Sequence, residues 1–360
     1  MRALHVTCVA GARPNFVKIA PILHEMHRRP EFHAQLIHTG QHFSPEMSQS
    51  FFRELDIPEP DINLEVGSGS HAQQTAEVMR RLEPVLLETP PDVLLVVGDV
   101  NSTLAAALVA AKLFVPVAHV EAGLRSFDRR MPEEINRVVT DALSDYLFTT
   151  EPVAERNLLA EGVAKEKIFF VGNVMIDTLL GFREKAARSG VLERLGVKAK
   201  GYAVVTLHRP SNVDAPAQLD GLLGALEQLS RELPVVFPVH PRTREKLQVA
   251  DNGPLILTPP MGYLDFLRLM SEARLVLTDS GGIQEETTIL QVPCLTMREN
   301  TERPITLEQG TNRLVGRQPE AILEAALAVL KGGGKPAQVP DLWDGHASSR
   351  ILDVLRGARR

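Results

Sequence analysis

The sequence predicts an α/β protein made of two doubly wound, Rossmann-like parallel sheets, and three observations predict it. Short Val/Leu/Ile runs recur along the 360 residues. Each run is followed by a turn and then by a helical pattern. The runs are continuously apolar rather than alternating, as strands buried on both faces require. Composition agrees, because 44% apolar and 23% charged residues suit a globular chain of about two domains.

The first series of runs is LHVTCVA, AQLIHTG, DVLLVVGD, VPVAHVEAG, DYLFTT and KIFFVG, expected to form an N-terminal domain over 1–173. The polar-ended stretch GNVMIDTLLGFREKAARSGVLERLGVKAKG leads into a second series, YAVVTLH, LPVVFPVH, LILTPP, RLVLTDS and VPCLTM, expected over 174–345. The last helix, in SSRILDVLRGARR, could pack on either domain; residues 346–360 are assigned to the first. Ligands of doubly wound sheets sit outside the carboxyl ends of the strands. A cleft between the two domains would therefore gather the side chains that follow each run.

Charge and cysteine usage narrow the function. Thirty-nine Lys and Arg against 45 Asp and Glu give a net charge of -6 with the signs interspersed, so no basic field points to nucleic acid. Cys8 and Cys294 both fall in strand-like runs, which suits buried free thiols in a reducing cytoplasm and offers no disulfide framework or metal spacing. The opening MRALHVTCVAGARP is too short for a secretory signal, and no stretch approaches ~18 apolar residues, so no membrane span is expected.

Several strand ends carry chemistry-bearing residues. TDSGGIQEE, at 278–286, reads as strand, turn and a helix starting near Ile283; Ser280, Gly281 and Gly282 would offer helix N-terminal amides to a phosphate. An ordinary capped turn, with Ser280 as the cap, is the equal alternative. GSGSHA, at 67–72, matches a loose dinucleotide pattern but follows a poor strand, so a loop is the better reading. In GARPNFVK, Arg13 and Lys18 suit an anionic ligand or a solvated surface pair. Asp99 ends DVLLVVGD, Glu121 ends the next run, and Glu133 and Glu134 open a helix in MPEEINR. Carboxylates ending neighbouring buried strands are costly, so acid/base work divided among them is the stronger reading. Asp99 alone could instead cap a helix. His208 and His240 end strands of the second series, each with an arginine close behind (Arg209 and Arg242). Neither a Ser-His-Asp order, nor a G-x-S-x-G elbow, nor a P-loop is present.

Taken in order, GARPNFVK, TGQH, VVGDVNST, HVEAGLRS, MPEEINR, VGNVMIDTL, TLHRPSN, PVHPR, TDSGGIQEE and MRENTERP resemble the non-hydrolysing UDP-N-acetylglucosamine 2-epimerases over nearly the whole chain. The resemblance implies a glycosyltransferase B-type fold, a homodimer, and interconversion of UDP-GlcNAc and UDP-ManNAc with no cofactor and no metal. It also implies elimination of UDP to a 2-acetamidoglucal followed by re-addition, since C2 has no neighbouring carbonyl to acidify its proton. By resemblance, Asp99, Glu121 and Glu133 are the acid/base carboxylates and His208 acts near the diphosphate. Arg13, Lys18, Arg209, His240, Ser280, Gly281, Gly282 and Arg303 then bind the substrate, with Glu286 on the ribose and Phe266 near the uracil. Gln41 and His42 mark an activator site for a second UDP-GlcNAc. AGLRSFDRRMPEE is shorter than the matching loop of some members, which bears on where Glu133 lies. An epimerase acting on UDP-2,3-diacetamido sugar acids, and a glycosyltransferase of the same fold, are the alternatives.

Overall fold

The structure, a computed structural model, describes residues 2–41, 51–239, 244 and 255–357. The chain divides into two compact units, Met1–Thr178 with Asp341–Arg360, and Leu179–Pro340.

The first unit holds strands β1 (Leu4–Ala10), β2 (Phe32–His38), β3 (Ile62–Asn63), β4 (Val93–Val97), β5 (Val117–Ala122), β6 (Tyr146–Thr149) and β7 (Ile168–Phe170). They form one sheet in the order β3-β2-β1-β4-β5-β6-β7 with every pairing parallel. Val6–Val9 of β1 lie against Val93–Val96 of β4, where the order reverses and a doubly wound sheet opens its ligand crevice. Connecting helices are α1 (Arg13–Arg28), α2 (His71–Glu88), α3 (Asn101–Lys112), α4 (Pro132–Leu143) and α5 (Pro152–Ala160), and α6 (Val174–Ala187) runs across the boundary at Thr178–Leu179 into the second unit. β4 reads VLLVV with every residue buried, and α3 buries Ala105, Ala106, Ala107, Val109 and Ala110 beside it. Ser70, in the glycine-rich stretch set aside as a loop, caps α2 by accepting from the Gln73 amide.

The second unit places β8 (Ala203–Thr206), β9 (Val235–Pro238), β10 (Leu255–Thr258), β11 (Leu275–Thr278), β12 (Cys294–Thr296) and β13 (Asn312–Leu314) in the order β10-β9-β8-β11-β12-β13. All its pairings are parallel as well. The order reverses between β8 and β11, the strands whose ends carry His208 and Ser280. Helices α7 (Pro216–Leu229), α8 (Tyr263–Ser271), α9 (Gly281–Leu290) and α10 (Pro319–Leu330) accompany the strands. Leu219, Leu222, Leu226, Ile322 and Ala326 bury α7 and α10 against Val235, Phe237, Leu275 and Leu277.

The chain end returns to the first unit. Helix α11 (Ala347–Gly357) packs on α1, where Arg29 donates to Asp353 at 2.7 Å and to Ser349 at 2.6 Å. The Asp177 carboxylate caps α11, accepting from the Ala347 and Ser348 amides and from the Ser348 hydroxyl. The buried indole of Trp343 donates to the Thr150 carbonyl at 2.9 Å. Both cysteines are buried, and burial pushes the thiols up, to about 12 for Cys8 and about 11 for Cys294. Among the described residues no helix is long and apolar enough to cross a membrane.

Candidate active site

The first unit builds its reversal point from β1, β4 and β5. Asn15 joins the first two: its Oδ1 accepts from the Gly11 and Ala12 amides, and its Nδ2 donates to the Val97 carbonyl at 2.9 Å. Arg13 opens α1, and its side chain lies outside the described residues. Lys18, one turn further on, is almost wholly buried, with Nζ 2.7 Å from Oε2 of Glu121.

Glu121 stands at the point where the β5–β6 register shifts, with φ at 74°. A non-glycine residue in that region is strained, and bulges that re-aim a side chain recur beside active sites. Asp99 follows β4 after Gly98, whose φ of 67° places it in the left-handed region. No side chain of its own caps α3, which begins after Val100. Its carboxylate pairs instead with Arg137 Nη2 at 2.5 Å, and its carbonyl accepts from Asn136. The strands carrying both carboxylates are joined at the Gly98 amide, which donates to the Val120 carbonyl at 3.0 Å.

The two glutamates that open α4 separate sharply. Glu134 is buried and committed, accepting from the Ser126 amide and hydroxyl and the Phe127 amide while pairing with Arg137. Glu133 is half-buried, and its carboxylate has no hydrogen bond or ion pair among the described residues. Gln41 is buried and accepts from the amide and hydroxyl of Ser102, so its carboxamide oxygen secures the start of α3. His42 and His240, with Arg242, lie outside the described residues.

In the second unit the ends of β8 and β11 share one buried carboxylate. Asp279 accepts from the His208 and Arg209 amides and from Asn212 Nδ2 at 3.0 Å, and lies 2.6 Å from His208 Nδ1. Burial alone would push Asp279 up, but His208 and these hydrogen bonds outweigh it and hold the carboxyl below the ordinary range. The His208 ring is left largely exposed, with Nδ1 occupied.

Helix α9 starts at Gly281, two residues earlier than the sequence suggests, and the Ser280 side chain does not cap it. Its first-turn N–H groups keep the positive end of the helix dipole for an anion. Beneath it lies an ion-pair group: Arg303 Nε is 3.0 Å from Glu285 Oε1, and Glu302 pairs with Arg298 and Arg303. Glu302 is held well below its ordinary value; burial opposes this, and the charges of Arg303, Arg298 and Arg209 prevail. A Cβ at Gly281 would fall 2.3 Å from Arg303 Nη1 and 2.6 Å from Glu302 Oε1, so any side chain here would have to displace that ion pair. Arg303 is therefore buried and paired. Glu286, one turn into α9, is buried and accepts from the Tyr263 hydroxyl at 3.3 Å, while Phe266 is half-buried on α8.

Asn15, Arg137, Asp279 and Glu302 went unselected in the sequence. The available signals were an asparagine directly after the Arg-Pro pair, an arginine three positions after Glu134, and an aspartate directly before Ser280. Among the described residues no group of three or more His, Cys, Asp or Glu side chains is placed to hold a metal ion.

Comparison with known proteins covers nearly the whole chain. The sequence model of a family described as UDP-N-acetylglucosamine 2-epimerase matches residues 24–356. A UDP-N-acetylglucosamine 2-epimerase of Methanocaldococcus jannaschii is 43% identical, over 98% of this chain and 99% of the relative. A UDP-2,3-diacetamido-2,3-dideoxy-D-glucuronate 2-epimerase of Pseudomonas aeruginosa is 42% identical, again over 98% and 99%. The crystal structure of the Methanocaldococcus jannaschii UDP-GlcNAc 2-epimerase in complex with UDP-GlcNAc and UDP superposes with a TM-score of 0.91, at 41% identity, over 98% of this chain and all of that one.

Proposed function

Because the chain belongs to the UDP-N-acetylglucosamine 2-epimerase family, we propose that it interconverts UDP-GlcNAc and UDP-ManNAc by inverting C2. A carboxylate of the first unit takes the C2 proton. The C–H electron pair becomes the C1–C2 double bond as the C1–O bond breaks and UDP leaves with that bond's electrons. A second carboxyl group returns a proton to C2 from the other face of the 2-acetamidoglucal, and a UDP oxygen re-forms the bond to C1. Asp99, Glu121 and Glu133 are the groups for the two proton transfers, and exchange with water restores their protonation between turnovers.

The leaving diphosphate gathers negative charge in the transition state. His208, Arg13 and the backbone at Ser280–Gly282 stabilise that charge, and Glu286 accepts the ribose hydroxyls. Lys18 acts as the fixed counter-charge of Glu121. A homodimer in the cytoplasm, activated by a second UDP-GlcNAc near Gln41 and His42, completes this reading.

The observation that carries it is Glu121: a buried carboxylate in a strained left-handed conformation, at a strand end beside Asp99, with a lysine as its partner. Incubation with UDP-GlcNAc alone in deuterated buffer tests it. Deuterium at C2 of both epimers is the expected result, and active turnover without it sinks the reading. The 42% identity to the diacetamido-glucuronate epimerase favours a second substrate, so the same exchange is run on that nucleotide sugar. Faster exchange there moves the assignment to the sugar acid.

A further inference from the structure

Between the two acid/base strands lies a buried chain of contacts that includes neither Asp99 nor Glu121. Asp141, on α4, is 2% exposed and holds a residue on each side of Glu121, a ring before it and a backbone amide after it. Two residues before Glu121, the ring of His119 places Nδ1 2.6 Å from Asp141 Oδ1. Two residues after it, the Gly123 amide donates to Asp141 Oδ2 at 3.0 Å, and Arg125 Nη1 lies 2.7 Å from the same oxygen. His119 then passes the connection sideways, with Nε2 2.9 Å from the carbonyl oxygen of Gly98, the residue before Asp99.

We infer that Asp141 and His119 are positioning residues that set Glu121 and Asp99 together, fixing the strained turn under one and the carbonyl before the other. This rests on the epimerase reading of the site. Glu121 needs such support, since a left-handed φ persists only where surrounding contacts over-determine it. Both ring nitrogens of His119 face oxygens, the Asp141 carboxylate on one side and the Gly98 carbonyl on the other, so the ring is held at both ends. Arg125 braces the same carboxylate and ties it on to Glu161. Burial opposes ionisation of Asp141, and the charges of His119 and Arg125 overcome it, leaving the carboxyl lowered.

Two substitutions cut the chain at different links. His119→Asn keeps a donor near the Nδ1 position, facing Asp141, and gives up the Gly98 carbonyl. His119→Gln reaches the Gly98 carbonyl and gives up Asp141. Each is expected to lower kcat on order of tenfold to a hundredfold, with KM within about twofold, as for misplaced reacting groups. Deuterium wash-in at C2 should fall in step with kcat, and Asp141→Asn should behave as His119→Gln does. A merely structural role would lower the melting temperature while leaving kcat of the folded protein unchanged, and that result overturns the inference. So does a loss confined to KM. If the unmodified protein exchanges C2 of neither nucleotide sugar, the epimerase reading is what fails. The clamp is then judged by amide hydrogen exchange in His119→Gln and Asp141→Asn: faster exchange at Gly98 and Gly123 than in the unmodified protein, with β8 unchanged, supports it, and unchanged protection at both overturns it.

Discussion

The ammonium of Lys18 lies 2.7 Å from the carboxylate of Glu121, with 6% and 3% of the two side chains exposed. An ion pair so removed from water is costly to break on one side, because the remaining charge stays buried without its counter-ion.

Lys18→Met is therefore expected to destabilise the protein by about 3–5 kcal/mol in urea unfolding. Glu121→Gln should lower kcat by about 10²–10⁴-fold, the span of a lost general acid or base. The double variant should be more stable than the sum of the single effects predicts, since no buried charge is left alone. Additive losses would show that the pair does not act as a unit.

Gly281 sits where any side chain would strike Arg303 and Glu302. Gly281→Ala should displace that ion pair or the start of α9, costing about 1–3 kcal/mol of stability. It should also weaken UDP binding by roughly tenfold or more, read by calorimetry, through the displaced amides. Unchanged UDP affinity would remove this turn from the nucleotide site.

Asp279 and Glu302 have folded-state values below the ordinary carboxylate range. For such groups the stabilisation is fully present above the unfolded value, ~3.9 for Asp and ~4.3 for Glu, and is lost as pH falls toward the lower folded value. The urea midpoint should stay level from pH 7 to about 5 and fall below about 4. Asp279→Asn should start from a lower midpoint and fall less steeply over the acid range. An acid limb of equal slope would show that Asp279 does not contribute to it.

Asp177 supplies the cap of α11 from another part of the first unit. Asp177→Ala should cost about 0.5–2 kcal/mol, the usual worth of a cap. Hydrogen exchange should accelerate over Ala347–Gly357 while the amides of β8 and β11 keep their protection. Equal acceleration in both units would make the effect global rather than local.

The strands were legible wherever burial on both faces leaves an unbroken apolar run, from LHVTCVA to VPCLTM. β3 and β13 escaped because Asn63, Asn312 and Arg313 leave no apolar run there, whereas the equally short edge strand β7 was legible as Ile-Phe-Phe. The carboxylates Asp99 and Glu121 stood out for being charges at the ends of buried strands. Which of Glu133 and Glu134 is committed to the loop could not be read, because adjacent residues in a first helical turn differ only in the direction the fold gives them. His119 and Asp141 were illegible for another reason: they are 22 positions apart, and only the packing of α4 beside β5 brings their side chains within 2.6 Å.

The return of Asp341–Arg360 to the first unit bears on how the protein is made. During translation, the face of α1 that receives α11 emerges early and waits, uncovered, while the whole of Leu179–Pro340 is synthesised. The second unit is contiguous in the chain, so it can complete its own core without waiting for α11. The earlier-made unit closes last, and the nascent α1 is the surface a chaperone would be expected to shield until the C-terminal helix is released.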